Sequence, residues 1–366
     1  MELATTLTGQ TVRNHVREVG INGNHWYAVA WAKDLKPKKI LSVMIWQQAI
    51  ALYRDSQNQV HAVENVCPHK GVAIDKGQVK GDTIVCGYHG WEFNSKGECI
   101  GIPYWNSSQK LPCAQLRSFP VQEQYGLIWL FPGDPTLAAT QPLPTMPEYD
   151  DPDWLLIPVG AHFNAHFSIC NENTMDVFHG YLHKNLQGWF DPVLLKLRET
   201  EDSVTADYQV SYQGPITKFL GLSEVGDRVT TQTISVDYRY PNYVNNLQGI
   251  SSLYLMRLPI APHASRSFTF MFLKIRLPRP LVNLLRPVLQ PVIIHLLFLR
   301  FLRQDMEMIE SEQENYLKDP QRRYVEVNPA IIAVQRLILR QYETFVRSQN
   351  PSQQTPKSVY PEVSAP

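Results

Sequence analysis

Two short segments hold cysteine and histidine close enough together to bind metal. Cys67-Pro-His69 is followed, after sixteen intervening residues, by Cys86-Gly-Tyr-His89. Each half offers one thiolate and one imidazole from a short loop. A [2Fe–2S] cluster needs four protein ligands, two per iron. A Cys pair on one iron and a His pair on the other meets that need and gives a higher potential than four thiolates. A zinc site could use the same residue types. Zinc modules usually group Cys with Cys and His with His, so the alternating order argues against zinc. Gly71, Gly87 and Gly90 would let the two loops close over a cluster. Trp91 and Phe93 read as core residues. Cys99, Cys113 and Cys170 have no partner spacing and read as buried small hydrophobes.

A second group lies in NENTMDVFHGYLHKN, where Asp176, His179 and His183 recur at offsets of three and four residues. On a helix these offsets place all three on one face. Two His at i and i+4 can chelate one metal. A distant carboxylate would complete a 2-His-1-carboxylate set with open positions on Fe(II). HxxxH taken alone is as readily structural. Glu172 and Asn173 lie one turn earlier and read equally well as helix capping or a solvated face.

The elements that must position these residues fall into two regions. From His25 to about Pro132, short β-like runs (ILSVMIW, AIALYR, VHAVENV, DTIVCGY, GLIWLF) are split by Gly, Asn and Pro, as in a small all-β unit. Gly133 to Asp153 is rich in Pro and acidic residues and reads as a linker. Then come a strand-like run, Trp154 to Phe167, and a helical stretch from Asn171 to about Asn185. The alternating runs SVTADYQVSYQ, VTTQTISVDYRY, SSLYLMRLPIA and RSFTFMFLKIRL follow, as in an antiparallel sheet. Asn328-Pro329 caps a closing amphipathic helix. The expected division is an arm at 1–20, a first domain at 21–145, a second at 150–350 and a disordered tail at 351–366.

The chain has 366 residues, with 44% hydrophobic residues and 34 basic against 34 acidic side chains. It is ordinary globular material, and the balanced charge gives no reason to expect nucleic acid. Five scattered cysteines do not make a disulfide framework, and the N-terminal residues lack the apolar run of a signal peptide. A cytoplasmic location is expected. Leu281 to Leu302 is long and apolar, but Arg286, Pro287, Gln290, Pro291, His295 and Arg300 interrupt it, which disfavours a spanning helix. It reads first as a buried helix pair or pocket wall and second as a membrane-surface contact.

The flanks CPHKG and CGYHGWEF resemble the Rieske family. Asn173-x-x-Asp176-x-x-His179 followed by His183 resembles the catalytic helix of Rieske non-haem iron oxygenases, and NHWYAVAWAKDL resembles the entry to their first domain. Family members commonly place four residues between the two His; here there are three. The likeness covers roughly residues 25 to 345 and is greatest to O-demethylases and the branch oxidising chlorophyll derivatives. It implies an α+β protein: a β-sandwich-like Rieske domain, then a helix-grip catalytic domain with a curved antiparallel sheet. It implies cluster ligands Cys67, His69, Cys86 and His89, and iron ligands His179 and His183. Asp305, in RQDMEMIESEQENY, matches the family's third ligand, with Glu307, Glu310 and Glu312 as rivals. Asp176 would bridge an iron-binding His to a Rieske His of the next subunit, in a head-to-tail homotrimer. The expected activity is oxidation of a hydrophobic or aromatic substrate by O2, by hydroxylation or demethylation. The sequence shows no GxGxxG, flavin or plant-type cluster motif, so a ferredoxin or NAD(P)H-dependent reductase would supply electrons. A pure Rieske electron carrier, or a binding protein on the same fold, is the other reading.

Overall fold

The computed structural model describes residues 13, 15–106, 108–183, 186, 189–212, 230–247, 249–274 and 279–349. The expected disordered tail and most of the expected arm lie outside them. The chain divides into two compact units, one of Gly23–Met146 with Met256–Ala261, the other of the remaining segments.

The first unit is all β, in three antiparallel sheets. One joins β1 (Tyr27–Trp31), β11 (Leu127–Leu130) and β10 (Val121–Gln124). Central β11 is paired on both sides, and all four of its residues are buried, which accounts for its unbroken apolar run. The second sheet is β2 (Ile40–Ile45), β3 (Gln48–Arg54), β4 (Val60–Glu64) and β9 (Ser118–Phe119). The third is β5 (Gln78–Lys80), β6 (Thr83–Val85), β7 (Glu92–Phe93) and β8 (Cys99–Gly101). Ala51, Tyr53, Val63, Ile74, Ile84, Phe93 and Leu116 form a buried cluster that also takes in Cys67 and Cys86. Gly133–Asp153 is more ordered than a linker. Asp134 caps a short helical turn at Pro135–Thr140 by accepting from the Thr136 N–H. Within the second unit, the buried Glu148 accepts from the Tyr254 hydroxyl at 2.7 Å.

A seven-stranded antiparallel sheet lies in the second unit, apart from its segment Met256–Ala261, which groups with the first. Its strands are β12 (Trp154–Phe163), β13 (Trp189–Glu199), β14 (Ser203–Tyr212), β15 (Thr230–Arg239), β16 (Asn242–Leu247), β17 (Ser251–Ala261) and β18 (Ala264–Lys274). Their spatial order is β12-β18-β17-β16-β15-β14-β13. Val204, Ala206, Tyr208 and Val210 of β14 are buried and alternate with more exposed neighbours, as expected of a strand with one face on a core. The sequence reading found neither β13 nor β16. The helices are α1 (Phe167–Met175), α2 (Arg279–Ile293), α3 (Leu299–Lys318) and α4 (Pro329–Gln349). Helix α1 packs against both α3 and α4. Asn328 caps α4 by accepting from the Ala330 N–H at 3.0 Å. The described part of the expected arm is packed rather than free: Val16, Arg17 and Val19 are buried. The architecture is the α+β class expected from the sequence.

Candidate metal centres

In the first unit the two Cys/His segments fold into matching loops. The Cys67 N–H donates to the Val72 carbonyl and the Gly71 N–H to the Cys67 carbonyl, both at 2.8 Å. The Cys86 N–H donates to the Trp91 carbonyl at 2.9 Å and the Gly90 N–H to the Cys86 carbonyl at 3.0 Å. Each loop turns on a glycine in the left-handed region, Gly71 at φ 70° and Gly90 at φ 69°, where a side chain is strained. A Cβ on Gly90 would also come within 2.6 Å of Pro103 Cγ. The loops present Cys67 and Cys86 buried and facing each other, and burial pushes the Cys67 thiol up.

The His69 and His89 rings meet at 4.6 Å between centroids. His89 is exposed and His69 half-buried. His69 Nδ1 is buried and has no hydrogen-bond partner among the described residues. Burial, then the neighbouring His89, lowers the His69 pKa. Two buried sulfurs on one side, two imidazoles on the other and a buried, unbonded ring nitrogen suit a cluster with Cys on one iron and His on the other. Trp91, read as core, is half-buried and stacks on His69 at 4.6 Å and 7°. Cys170 is buried as expected, but Cys99 is half-buried and Cys113 exposed. Cys113 lies beside Pro112 in a loop without strand pairing, so no neighbouring strand covers it.

In the second unit the helix expected to run from Asn171 to about Asn185 breaks. Helix α1 ends at Met175, and Asp176 adopts an extended conformation. The Asp176 carboxylate accepts from the Phe178 N–H at 3.0 Å, a local bond that competes with helix continuation. A short 3₁₀ turn, Phe178–Tyr181, then carries His179, and His183 follows it. The histidines therefore share a tight turn rather than a helical face, and they still converge. His179, His183 and Asp305 place one ligand atom each within 4.8 Å of one another. His183 Nε2 lies 3.1 Å and His179 Nε2 3.6 Å from Asp305 Oδ1.

The surroundings prepare this group for a cation. His183 is fully buried and Asp305 nearly so. The His183 Nδ1–H donates to Gln304 Oε1 at 2.9 Å. That fixes the tautomer, so Nε2 turns a lone pair toward the carboxylate. Nε2 and the carboxylate lie 3.1 Å apart, and His₂/carboxylate donors at this spacing fit Fe(II). Burial pushes the His179 pKa down, opposed by the Asp305 and Asp176 carboxylates. The Phe301 ring packs on His183 at 3.7 Å. Asn173 Nδ2 donates to Asp305 Oδ1 at 3.4 Å.

The other carboxylates lie elsewhere. Glu307 is exposed, Glu310 accepts from the Asn164 N–H at 2.9 Å, and Glu312 pairs with Arg13 at 2.6 Å. Glu172 is neither a cap nor solvated: it is buried against Arg17, whose Nη2 donates to it at 2.7 Å. Asp176 turns its backbone carbonyl to the His179 ring, while its carboxylate also accepts from Asn328 Nδ2 at 3.2 Å. The sequence names Asn328 as a helix cap and Trp91 as core without placing either at a metal centre, and gives Gln304 no role. Gln304 adjoins Asp305 in sequence, which was the available signal for it.

Comparisons with known proteins agree with this geometry. Residues 25–120 match the Rieske [2Fe-2S] domain, and residues 163–343 match the vanillate O-demethylase oxygenase C-terminal domain. The chain is 36% identical over 345 residues to the 4beta-methylsterol monooxygenase of Methylococcus capsulatus (strain Bath), covering 92% of each protein. It is 32% identical over 196 residues to the vanillate O-demethylase oxygenase subunit of a Pseudomonas species (strain HR199), covering 52% of this chain and 54% of that one. Among solved structures, dicamba monooxygenase bound to 3,6-dichlorosalicylic acid superposes with a TM-score of 0.75 at 21% identity, over 89% of this chain and 99% of that one. The cofactors are a Rieske [2Fe–2S] cluster and a mononuclear iron, and no described helix is long and apolar enough to cross a membrane. With the matching loops, the 2-His-1-carboxylate group and near-complete coverage of a monooxygenase relative in hand, the chain belongs to the Rieske non-haem iron oxygenases.

Proposed function

We propose that the chain inserts one oxygen atom into a C–H bond of a lipophilic substrate. The balance is R–H + O2 + 2 e⁻ + 2 H⁺ → R–OH + H2O. If the hydroxylated carbon is a methyl group on oxygen or nitrogen, loss of that carbon follows. Cys67, His69, Cys86 and His89 hold the cluster, and His179, His183 and Asp305 hold the iron. When bound, the iron supplies the site where O2 is activated beside the substrate. The residues of the chain prepare that site. Gln304 fixes the His183 tautomer, Asn173 steadies Asp305, and Phe301 covers the His183 ring.

The observation that carries the reading is the converged group of His179, His183 and Asp305, because a Rieske electron carrier has no use for it. The substrate class rests on the relative whose name specifies a methylsterol and on the apolar segment Leu281 to Leu302. In the family's arrangement a subunit receives electrons from its neighbour's cluster. Asp176 would serve as the relay within a head-to-tail trimer, and a ferredoxin or NAD(P)H-dependent reductase as the donor. The test is turnover of a panel of polycyclic lipids and methoxylated aromatics with a surrogate reductase under ¹⁸O2. One labelled oxygen in a lipid product is expected. Demethylation of a methoxyarene alone, with the label leaving in formaldehyde, or two labelled oxygens in one product, would overturn the substrate class or the monooxygenation.

A further inference from the structure

The outer side of α2 carries a stripe of exposed apolar side chains. Leu284, Val288 and Val292 recur at the four-residue spacing that aligns side chains on a helix, and they are 73%, 61% and 44% exposed. Pro287 and Pro291 are exposed beside them. The opposite side of the helix is already committed. Leu289 and Ile293, with Phe298 just beyond the helix, pack against Leu155, Ile157 and Val159 of β12, and Gln290 Nε2 donates to the Leu156 carbonyl at 3.2 Å. Core packing therefore explains the inner stripe and leaves the outer one without a role. A run of exposed apolar side chains on one helix face marks an interaction surface.

Charge identifies what that surface meets. From Tyr238 to Gln304 the sequence contains no Asp or Glu, in a chain whose acidic and basic residues otherwise balance at 34 each. The same stretch carries Arg276, Arg279, Arg286, Arg300 and Arg303 in and around α2, and Arg286, Arg300 and Arg303 are exposed. An apolar stripe flanked in sequence by arginines and by no acid suits the headgroup boundary of an anionic bilayer, where apolar side chains enter the acyl region and arginines meet lipid phosphates. An acidic protein partner would also attract the arginines but would not require the bare Leu and Val stripe. No described helix is long and apolar enough to cross a membrane, so the orientation that fits α2 is along the surface.

We propose that α2 is an interfacial helix that docks the second unit on anionic lipid. Through Ile294–Phe298 it runs on into α3, which carries Gln304 and Asp305. Docking on α2 would therefore hold the iron-ligating element near the phase in which a lipophilic substrate is dissolved. The docking itself does not depend on the substrate proposed above.

Flotation of the full chain with vesicles tests it without turnover. Binding is expected to vesicles containing phosphatidylglycerol and to be much weaker to phosphatidylcholine alone, with loss on raising salt. Arg286→Ala with Arg300→Ala is expected to weaken binding about 30-fold, from about 1 kcal/mol per arginine at an anionic surface. Leu284→Glu with Val288→Glu is expected to abolish binding, while Val325→Glu, at a residue 89% exposed elsewhere, leaves it unchanged. All variants should keep the parental cluster absorption and sedimentation coefficient. Absence of flotation with phosphatidylglycerol, or parental binding by the Leu284/Val288 variant, would overturn the proposal. So would a change in assembly state in that variant, which would make the face a contact between copies of the chain.

Discussion

The two metal centres are built by opposite strategies. The cluster loops are local: each closes through hydrogen bonds within six residues and turns on its own glycine. The iron group is assembled from a distance, with His183 and Asp305 separated by 122 positions in the chain. A local site can be read from spacing, because the loop that positions each ligand is written beside it. A distant site depends on packing, and its positioning residues come from elements with no sequence relation to the ligands. Damage to one centre should therefore leave the other intact.

The largest expected effects come from the ligands. Cys67→Ser or Cys86→Ser should remove the visible cluster absorption and reduce turnover to background, while the second unit still takes up one iron. Asp305→Ala should do the reverse, keeping the cluster spectrum and losing the mononuclear iron, because a buried His pair without its carboxylate is a poor Fe(II) site. Glu307→Ala, at an exposed position two residues along the same helix, should change neither. If the Asp305 variant keeps its mononuclear iron and the Glu310 or Glu312 variant loses it, the third ligand is one of those residues.

The supporting residues should have smaller effects. Asp176→Asn should keep both metals and slow turnover about 100-fold, at the upper end of what is lost when a group hydrogen-bonded around a metal is altered. A cluster that reoxidises with O2 and substrate as fast as the parent's would remove Asp176 from electron delivery. Gln304→Leu should weaken iron binding about 10–100-fold, since His183 Nδ1 loses its acceptor. Gln304→Glu, which restores an acceptor, should recover most of it. An unchanged iron affinity in Gln304→Leu would show that packing by Phe301 alone orients His183.

The smallest effect concerns stability under α1. Burial and then the nearby Arg17 hold His166 at about 3, against an ordinary value of 6.5. Between those values the unfolded chain binds the proton and the folded chain does not, so stability falls as pH drops from 6.5 toward 3. His166→Gln removes this group. It should cost about 1 kcal/mol at neutral pH through altered capping, and its gap to the parent should narrow and then change sign as the pH is lowered toward 4. A gap that stays constant in denaturant titrations from pH 7 to 4 would show that His166 does not titrate in this way.

Much of this was legible in the sequence, for physical reasons that differ by region. The alternation in SVTADYQVSYQ and the buried run GLIWLF gave β14 and β11 directly. Strand β13 was not legible, since Val193 and Leu195 on it are exposed and its apolar residues follow no core pattern. Asp176, His179 and His183 were found on the premise of a continuous helix, and that premise failed. The Asp176 carboxylate bonds to the Phe178 N–H and ends α1, and the histidines converge through a turn whose geometry their spacing does not encode. Asp305 came from resemblance. Nothing local separates it from Glu310 or Glu312 until packing buries it and sends those two to Asn164 and Arg13. Trp91 read as core because only the folded loop shows it stacked on His69.

Metal and sulfide analysis tests the central claim most directly. Quantifying iron and acid-labile sulfide in the anaerobically reconstituted full chain should give three irons and two sulfides per chain, one cluster plus one mononuclear site. The Asp305→Ala variant should fall to two irons with its sulfide unchanged. Two irons and two sulfides in the parent, with no further loss in the variant, would contradict the account and leave the chain an electron carrier on an oxygenase fold.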